Sequence, residues 1–193
     1  MPSHTQQEKE LIRIILQNPY VNEILHSNPF PQIKDWYLAA GGIMQSVWNH
    51  VSGYEITKGI KDYDLIYYDP NLEKTAQNEH SERIRKLFKH FPVEVDVVNE
   101  ARVHLWFEAY FQNTIDQYTS CEDAIRSWNP CGAIGVRSDG KNFEICAPHG
   151  LNDIFDMTLR PNKSHFLQFS YEEKAQKWSA KWPTMRVIPW DKV

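Results

Sequence analysis

The sequence predicts an α/β (α+β) protein, a mixed β-sheet flanked by helices, and three observations carry that expectation. Apolar residues recur at helical spacing, as in Leu11, Ile14 and Ile15 and again in Ile43, Val47, Trp48 and Val51. Short runs rich in β-branched and aromatic residues stand between such stretches, at 36–40, 63–68 and 93–98. Asp139-Gly140 separates two further apolar runs, 133–137 and 142–146, and is the strongest short-range hairpin signal in the chain. The 193 residues suit a single domain over 1–193, with a core at about 33–112 and a C-terminal extension at 113–193 holding the hairpin and a last helix.

Composition narrows the classes. With 41% hydrophobic and 24% charged residues the chain is a folded globule. Its net charge of −4 supplies no basic field, so there is no strong nucleic-acid signature. Residues 1–10 are polar and lack the apolar centre of a secretion signal, and no apolar run approaches membrane-spanning length. A cytoplasmic protein without a membrane partner is expected. Cys121, Cys131 and Cys146 are odd in number and widely spaced, which reads as free thiols.

Taken in order, Thr5-Gln6-Gln7-Glu8 has the form of a capping box for a first amphipathic helix. A second short helix over 21–25 ends at the prolines of Asn28-Pro29-Phe30-Pro31. A strand at 36–40 runs into Gly41-Gly42 and then a helix that Gly53 stops. Glycines at such a junction let a ligand approach the backbone, and the free N–H groups of the helix start face an anion; a plain tight turn explains them as well.

The next strand holds the chemistry. Asp62 and Asp64 lie two residues apart, so in a strand both carboxylates project from one face. Mg²⁺, with Mn²⁺ as the alternative, prefers one or two such carboxylates and takes its remaining ligands from water and substrate phosphates. A charged surface helix follows, with Ile84, Leu87, Phe88 and Phe91 inward, and Pro92 ends it. In 93–98, Val93, Val95 and Val97 alternate with Glu94 and Asp96. Asp96, nearer the strand exit, is the candidate third carboxylate, either a metal ligand or the base toward an attacking hydroxyl. Beyond it, Asn99 can orient a base or sugar and Arg102 can clamp a triphosphate or pair with a nearby acid. Leu105, Trp106, Phe107, Tyr110 and Phe111 read as the buried side of a helix. A short helix over 120–128 precedes the hairpin, and 154–159 reads as another. Ser170-Tyr171-Glu172-Glu173 reads as a capping box for the last helix, whose Ala175, Trp178 and Trp182 form an apolar stripe. Lys174, Lys177 and Lys181 line its other side, as a solvated face or a row that meets substrate phosphates.

In this order, glycine turn, Asp-x-Asp strand and third acid resemble the polymerase-β-like nucleotidyltransferase superfamily. More narrowly, the chain resembles small bacterial nucleotidyltransferase-like proteins. That resemblance spans Ala40-Gly41 with Val47-Trp48, residues 62–69, Asn99-x-Ala101-Arg102-x-His104, residues 133–137, Ala147-Pro148-His149-Gly150-Leu151, Arg160-Pro161-Asn162, Lys177-Trp178 and Trp182-Pro183. It implies a metal held by Asp62, Asp64 and Asp96, which would also be catalytic. Nucleotide contacts are implied at Gly41, Gly42, Gln45, Asn99 and Arg102, with a nucleoside triphosphate as substrate. The acceptor stays open among a small molecule, an RNA end and a protein. This chain has Met44-Gln45 where the family pattern carries Arg-Asn, and many relatives lack an acid at Asp96. A nucleotide-binding module without turnover and a metal-dependent phosphohydrolase are the alternative functions.

Overall fold

The computed structural model describes residues 5–193; the first four residues of the polar N-terminal stretch lie outside that range. Thr5 caps α1 (Gln6–Ile15) reciprocally with Glu8, so the capping box forms as the sequence requires. Asn18 caps α2 (Pro19–His26) through its Oδ1, while its Nδ2 donates to Ser46 and Tyr63, which fixes α2 against the elements that follow. After β1 (Trp36–Ala39) come α3 (Gly41–Val51), β2 (Asp62–Tyr67), α4 (Lys74–Leu87) and β3 (Glu94–Asn99). A 3₁₀ turn (Glu100–Leu105) leads to α5 (Phe107–Phe111) and α6 (Cys121–Arg126). β4 (Gly135–Ser138) and β5 (Phe143–Cys146) form the hairpin, followed by α7 (Asn152–Phe155), β6 (Thr158–Leu159), α8 (Gln168–Lys181) and β7 (Arg186–Val187).

Five strands make one sheet in the order β3-β2-β1-β4-β5, with β2 and β3 parallel and the other pairs antiparallel. The hairpin assigned to a C-terminal extension therefore belongs to the central sheet, because β4 hydrogen-bonds directly to β1. Along β2, Tyr63, Leu65 and Tyr67 enter the main core with Leu38, Val97 and Val136, covered by α1, α2, α3 and α4. The opposite face carries Asp62, Asp64 and Ile66, since strand side chains alternate. A second core joins Met44 and Trp48 of α3 to Tyr171, Ala175 and Trp182, so α8 is docked on the outer side of α3.

Four local expectations need correction. Residues 105–111 do not form one helix: the 3₁₀ turn and α5 meet at Trp106, the periodicity breaks there, and Leu105 and Tyr110 end up 55% and 73% exposed. Leu87 is likewise exposed at the end of α4, whereas Ile84, Phe88 and Phe91 are buried. Residues 154–159 split into α7 and β6, because Met157 turns the chain through a positive φ of 49°. Ser170 lies inside α8, which starts at Gln168 without a side-chain cap; the Tyr171 hydroxyl, bonded to the carbonyls of Leu159 and Ile188, anchors this first turn. Cys121, Cys131 and Cys146 are free. Among the described residues no helix is long and apolar enough to cross a membrane.

Candidate active site

Where β1 passes into α3, Ala40 adopts φ 49° and ψ −118°, a conformation L-residues avoid. Its N–H donates to the Ile134 carbonyl at 2.9 Å and its carbonyl accepts from Met44 at 3.0 Å, so both neighbouring elements hold the strained turn. The turn brings the start of α3 beside β2. There Gly41 lies against Asp64, and a Cβ built on it would stand 3.9 Å from Asp64 Oδ2.

The two glycines do different work. A Cβ on Gly41 would lie 2.9 Å from Gln45 Nε2, so its absence leaves room for the Gln45 side chain. A Cβ on Gly42 would lie 2.5 Å from Tyr63 Cδ1, on the core side of the sheet. Gly42 is a packing glycine and does not line the cleft described next.

A cleft of about 620 Å³ opens over the acidic face of β2. Asp62, Asp64 and Glu100 are at its floor, Gly41 and Gln45 on the α3 side, and Lys174, Lys177 and Lys181 on the α8 side. Trp106, Tyr110, Phe166 and Trp178 give the remaining wall an aromatic surface. Gln45 is 8% exposed, and its Oε1 has no hydrogen-bond partner. An unpartnered buried amide oxygen in a cleft wall is a group awaiting a donor.

Electrostatics mark the floor. Burial pushes the Asp64 carboxyl up to about 7, and the charges of Asp62 and Asp96 push the same way; Lys174 and the Gly41 N–H oppose them. Glu100, 3% exposed, is pushed up to about 8 by burial, then by Asp64 and Asp35. Asp96 is directly opposite Asp64 in the parallel β2–β3 register, hence on the same face. Its carboxyl is also raised, by burial and then by Asp62 and Glu94. Asp96 sits outside the cleft lining, at a smaller hollow of about 240 Å³ on the sheet edge.

Crowded, desolvated carboxylates of one sign favour a cation between them. Among the described residues, no three His, Cys, Asp or Glu side chains converge closely enough to hold a metal by themselves. Asp62 and Asp64 beside an open cleft do fit Mg²⁺, which needs only one or two protein carboxylates when phosphates and water complete its shell.

Two expected nucleotide contacts, Asn99 and Arg102, lie outside the cleft lining. Asn99 Oδ1 accepts from the N–H groups of Asp69 and Ala101, and Nδ2 donates to the carbonyls of Asp69 and Asn71. With donors and acceptor occupied, Asn99 ties the end of β3 to the loop after β2. Arg102 does not line the cleft, and its Nε is buried without a hydrogen-bond partner. Glu100 was missed by sequence reasoning, where it reads only as the residue after a strand. The lysine row was seen, and its place in the cleft was not.

Several blocks that carry the family resemblance prove to be structural fasteners. Arg160 makes a two-pronged ion pair with Asp153 at 2.9 and 3.0 Å. Asn162 donates its backbone N–H to Asn129 Oδ1 and its Nδ2 to the carbonyls of Arg126 and Trp128, and the His149 ring meets the Arg126 carbonyl. These contacts join the segment after β5 to the loop after α6.

Comparison with known proteins agrees with this geometry. A solved NMR structure described as revealing a CCA-adding enzyme head domain superposes with a TM-score of 0.75 at 25% identity, covering 94% of this chain and 95% of that one. No curated protein matches. The family model described as Nucleotidyltransferase matches residues 30–187, from the loop before β1 to the end of β7. That span holds the strained turn, the acidic strand and the α8 wall together, and the chain belongs to the nucleotidyltransferase family.

Proposed function

We propose that the protein is a Mg²⁺-dependent nucleotidyltransferase that moves a nucleoside monophosphate from a nucleoside triphosphate to an acceptor hydroxyl. The observation that supports this most is the placement of Asp62 and Asp64 on one face of β2 at the cleft floor, with Asp96 in register beside Asp64. In the proposed reaction the acceptor oxygen bonds to the α-phosphorus, the bond from that phosphorus to the β-phosphate oxygen breaks, and pyrophosphate leaves. The hydroxyl proton passes to a carboxylate of the row, a role we assign to Asp96. Asp62 and Asp64 would hold the metal, whose chemistry is to neutralise charge developing on the phosphates. Gln45 would offer its unpartnered amide oxygen to a donor on the nucleotide. The setting we propose is the cytoplasm.

Titration of the purified protein with each of the four ribonucleoside triphosphates, with and without Mg²⁺, tests the reading. Binding that requires the metal and disappears in Asp62→Asn/Asp64→Asn is the expected result. Equal binding by the double variant would remove the site from β2. A second reading, a nucleotide-binding module without turnover, draws on Met44, which is fully buried and gives α3 no cation. Triphosphate binding without pyrophosphate release in the presence of candidate acceptors would favour it.

A further inference from the structure

We propose that the triphosphate is gripped by the lysine row of α8, Lys174, Lys177 and Lys181, and not by the glycine turn. The proposal rests on the nucleoside triphosphate reading above and adds the residues that recognise the phosphates.

The glycine turn is poorly placed for the task. Gly41 is crowded between the Gln45 amide and the Asp64 carboxylate, Gly42 faces the Tyr63 ring, and Met44 is enclosed in the core between α3 and α8. Cations in the cleft come from the opposite wall. Residues 174, 177 and 181 follow the i, i+3, i+7 pattern, which places them on one helix face along about 10 Å of axis. All three line the cleft that Asp62 and Asp64 floor.

The row is also held in position. Lys174 Nζ lies 5.5 Å from the Phe166 ring centre and 5.3 Å from that of Trp178, so two aromatic faces flank it. Burial holds its ammonium below the usual lysine range, and Asp64 opposes that shift, as Lys174 opposes the raising of Asp64. Lys181 Nζ donates to the Gly59 carbonyl at 2.8 Å, which fastens α8 to the loop entering β2. Among the described residues, no carboxylate forms an ion pair with Lys174, Lys177 or Lys181. A cationic row with unpaired charges, facing a carboxylate pair across a cleft, suits a polyanion whose oxygens meet ammonium groups on one side and a carboxylate-bound cation on the other. Lys174 would take the phosphate nearest Asp64, and Lys177 the next one outward.

The test measures affinity for inorganic tripolyphosphate, and for one ribonucleoside as its tri-, di- and monophosphate, all with Mg²⁺. Wild type is compared with Lys174→Ala, Lys177→Ala and Lys177→Arg. Lys177 is exposed, so its substitution leaves the fold intact. Expected is a loss of tenfold or more for tripolyphosphate and triphosphate in both alanine variants, less than threefold for the monophosphate, and retention in Lys177→Arg. Unchanged triphosphate affinity in both alanine variants, or an equal loss for all three nucleotides, overturns the lysine assignment. If wild type binds and Asp62→Asn/Asp64→Asn does not, that failure leaves the nucleotidyltransferase reading standing. Absence of wild-type binding to any triphosphate removes both.

Discussion

A Cβ built on Gly42 lies 2.5 Å from Cδ1 of Tyr63, and the Tyr63 hydroxyl is itself held by Asn18. The ring has no room to retreat. Gly42→Ala should therefore cost about 1–3 kcal/mol through overpacking. Thermal unfolding should fall by roughly 2–4 °C per kcal/mol for a chain of this size. Because Gly42 faces the core, triphosphate affinity of the folded protein should change little; a large loss would return the glycine turn to the binding site.

Asp64 makes stability depend on pH in a definite direction. Its carboxyl titrates near 7 in the folded protein and lower once unfolded, so between those values the folded state binds more protons. Glu100, raised to about 8, and Asp96 act in the same sense. The metal-free protein should thus lose stability as pH rises from about 4, through about 7 for Asp64, to about 8 for Glu100, and level off above that. His80, shifted downward by burial and Arg83, opposes this trend only at lower pH. Asp64→Asn and Glu100→Gln should each flatten the decline, as should added Mg²⁺. Melting curves across this range, with and without chelator, check the sign.

Asn99 should matter to stability and not to substrate. Its four hydrogen bonds fasten Asp69, Asn71 and Ala101 around the end of β3. Asn99→Ala should destabilise by about 2–4 kcal/mol, because buried backbone groups lose their partners. Triphosphate affinity measured well below the melting temperature should stay within threefold of wild type.

Trp182 offers the converse case, a residue outside the cleft whose loss should weaken binding. Its ring meets Trp48 edge-on at 5.2 Å, and its Nε1–H donates to Asn49 Oδ1 at 3.0 Å. Asn49 in turn holds the Ile56 and Lys58 carbonyls, in the loop that delivers Asp62. Trp182→Ala should cost about 3–5 kcal/mol and loosen α8 on α3. Both cleft walls would then lose alignment, and triphosphate affinity should fall together with melting temperature.

The order of elements and the acidic strand were legible because they are local. Alternation placed Asp62 and Asp64 on one face, and the Thr5 box and Asp139-Gly140 turn formed as their residues require. Tertiary relationships were not legible. Asn99 and Arg102 have the right chemistry for a nucleotide, yet register turns Asn99 toward the loop after β2 and leaves Arg102 outside the cleft lining. The lysine row has a helical period in the sequence, and only the docking of α8 on α3 tells a cleft wall from a solvated face. Leu105 and Tyr110 misled for a related reason: apolar spacing cannot reveal that a 3₁₀ turn interrupts the helix.

The two walls of the cleft come from distant parts of the chain, carboxylates at 62 and 64 and ammonium groups at 174, 177 and 181. A polyanion spanning them would act as a non-covalent staple across more than half the sequence. Such a ligand at about a hundred times its dissociation constant would add about 2.7 kcal/mol to the folded state. Much of that gain would be felt in α8, whose backbone amides should exchange with solvent more slowly as the cleft fills, so that the end of the chain reports on occupancy at its middle.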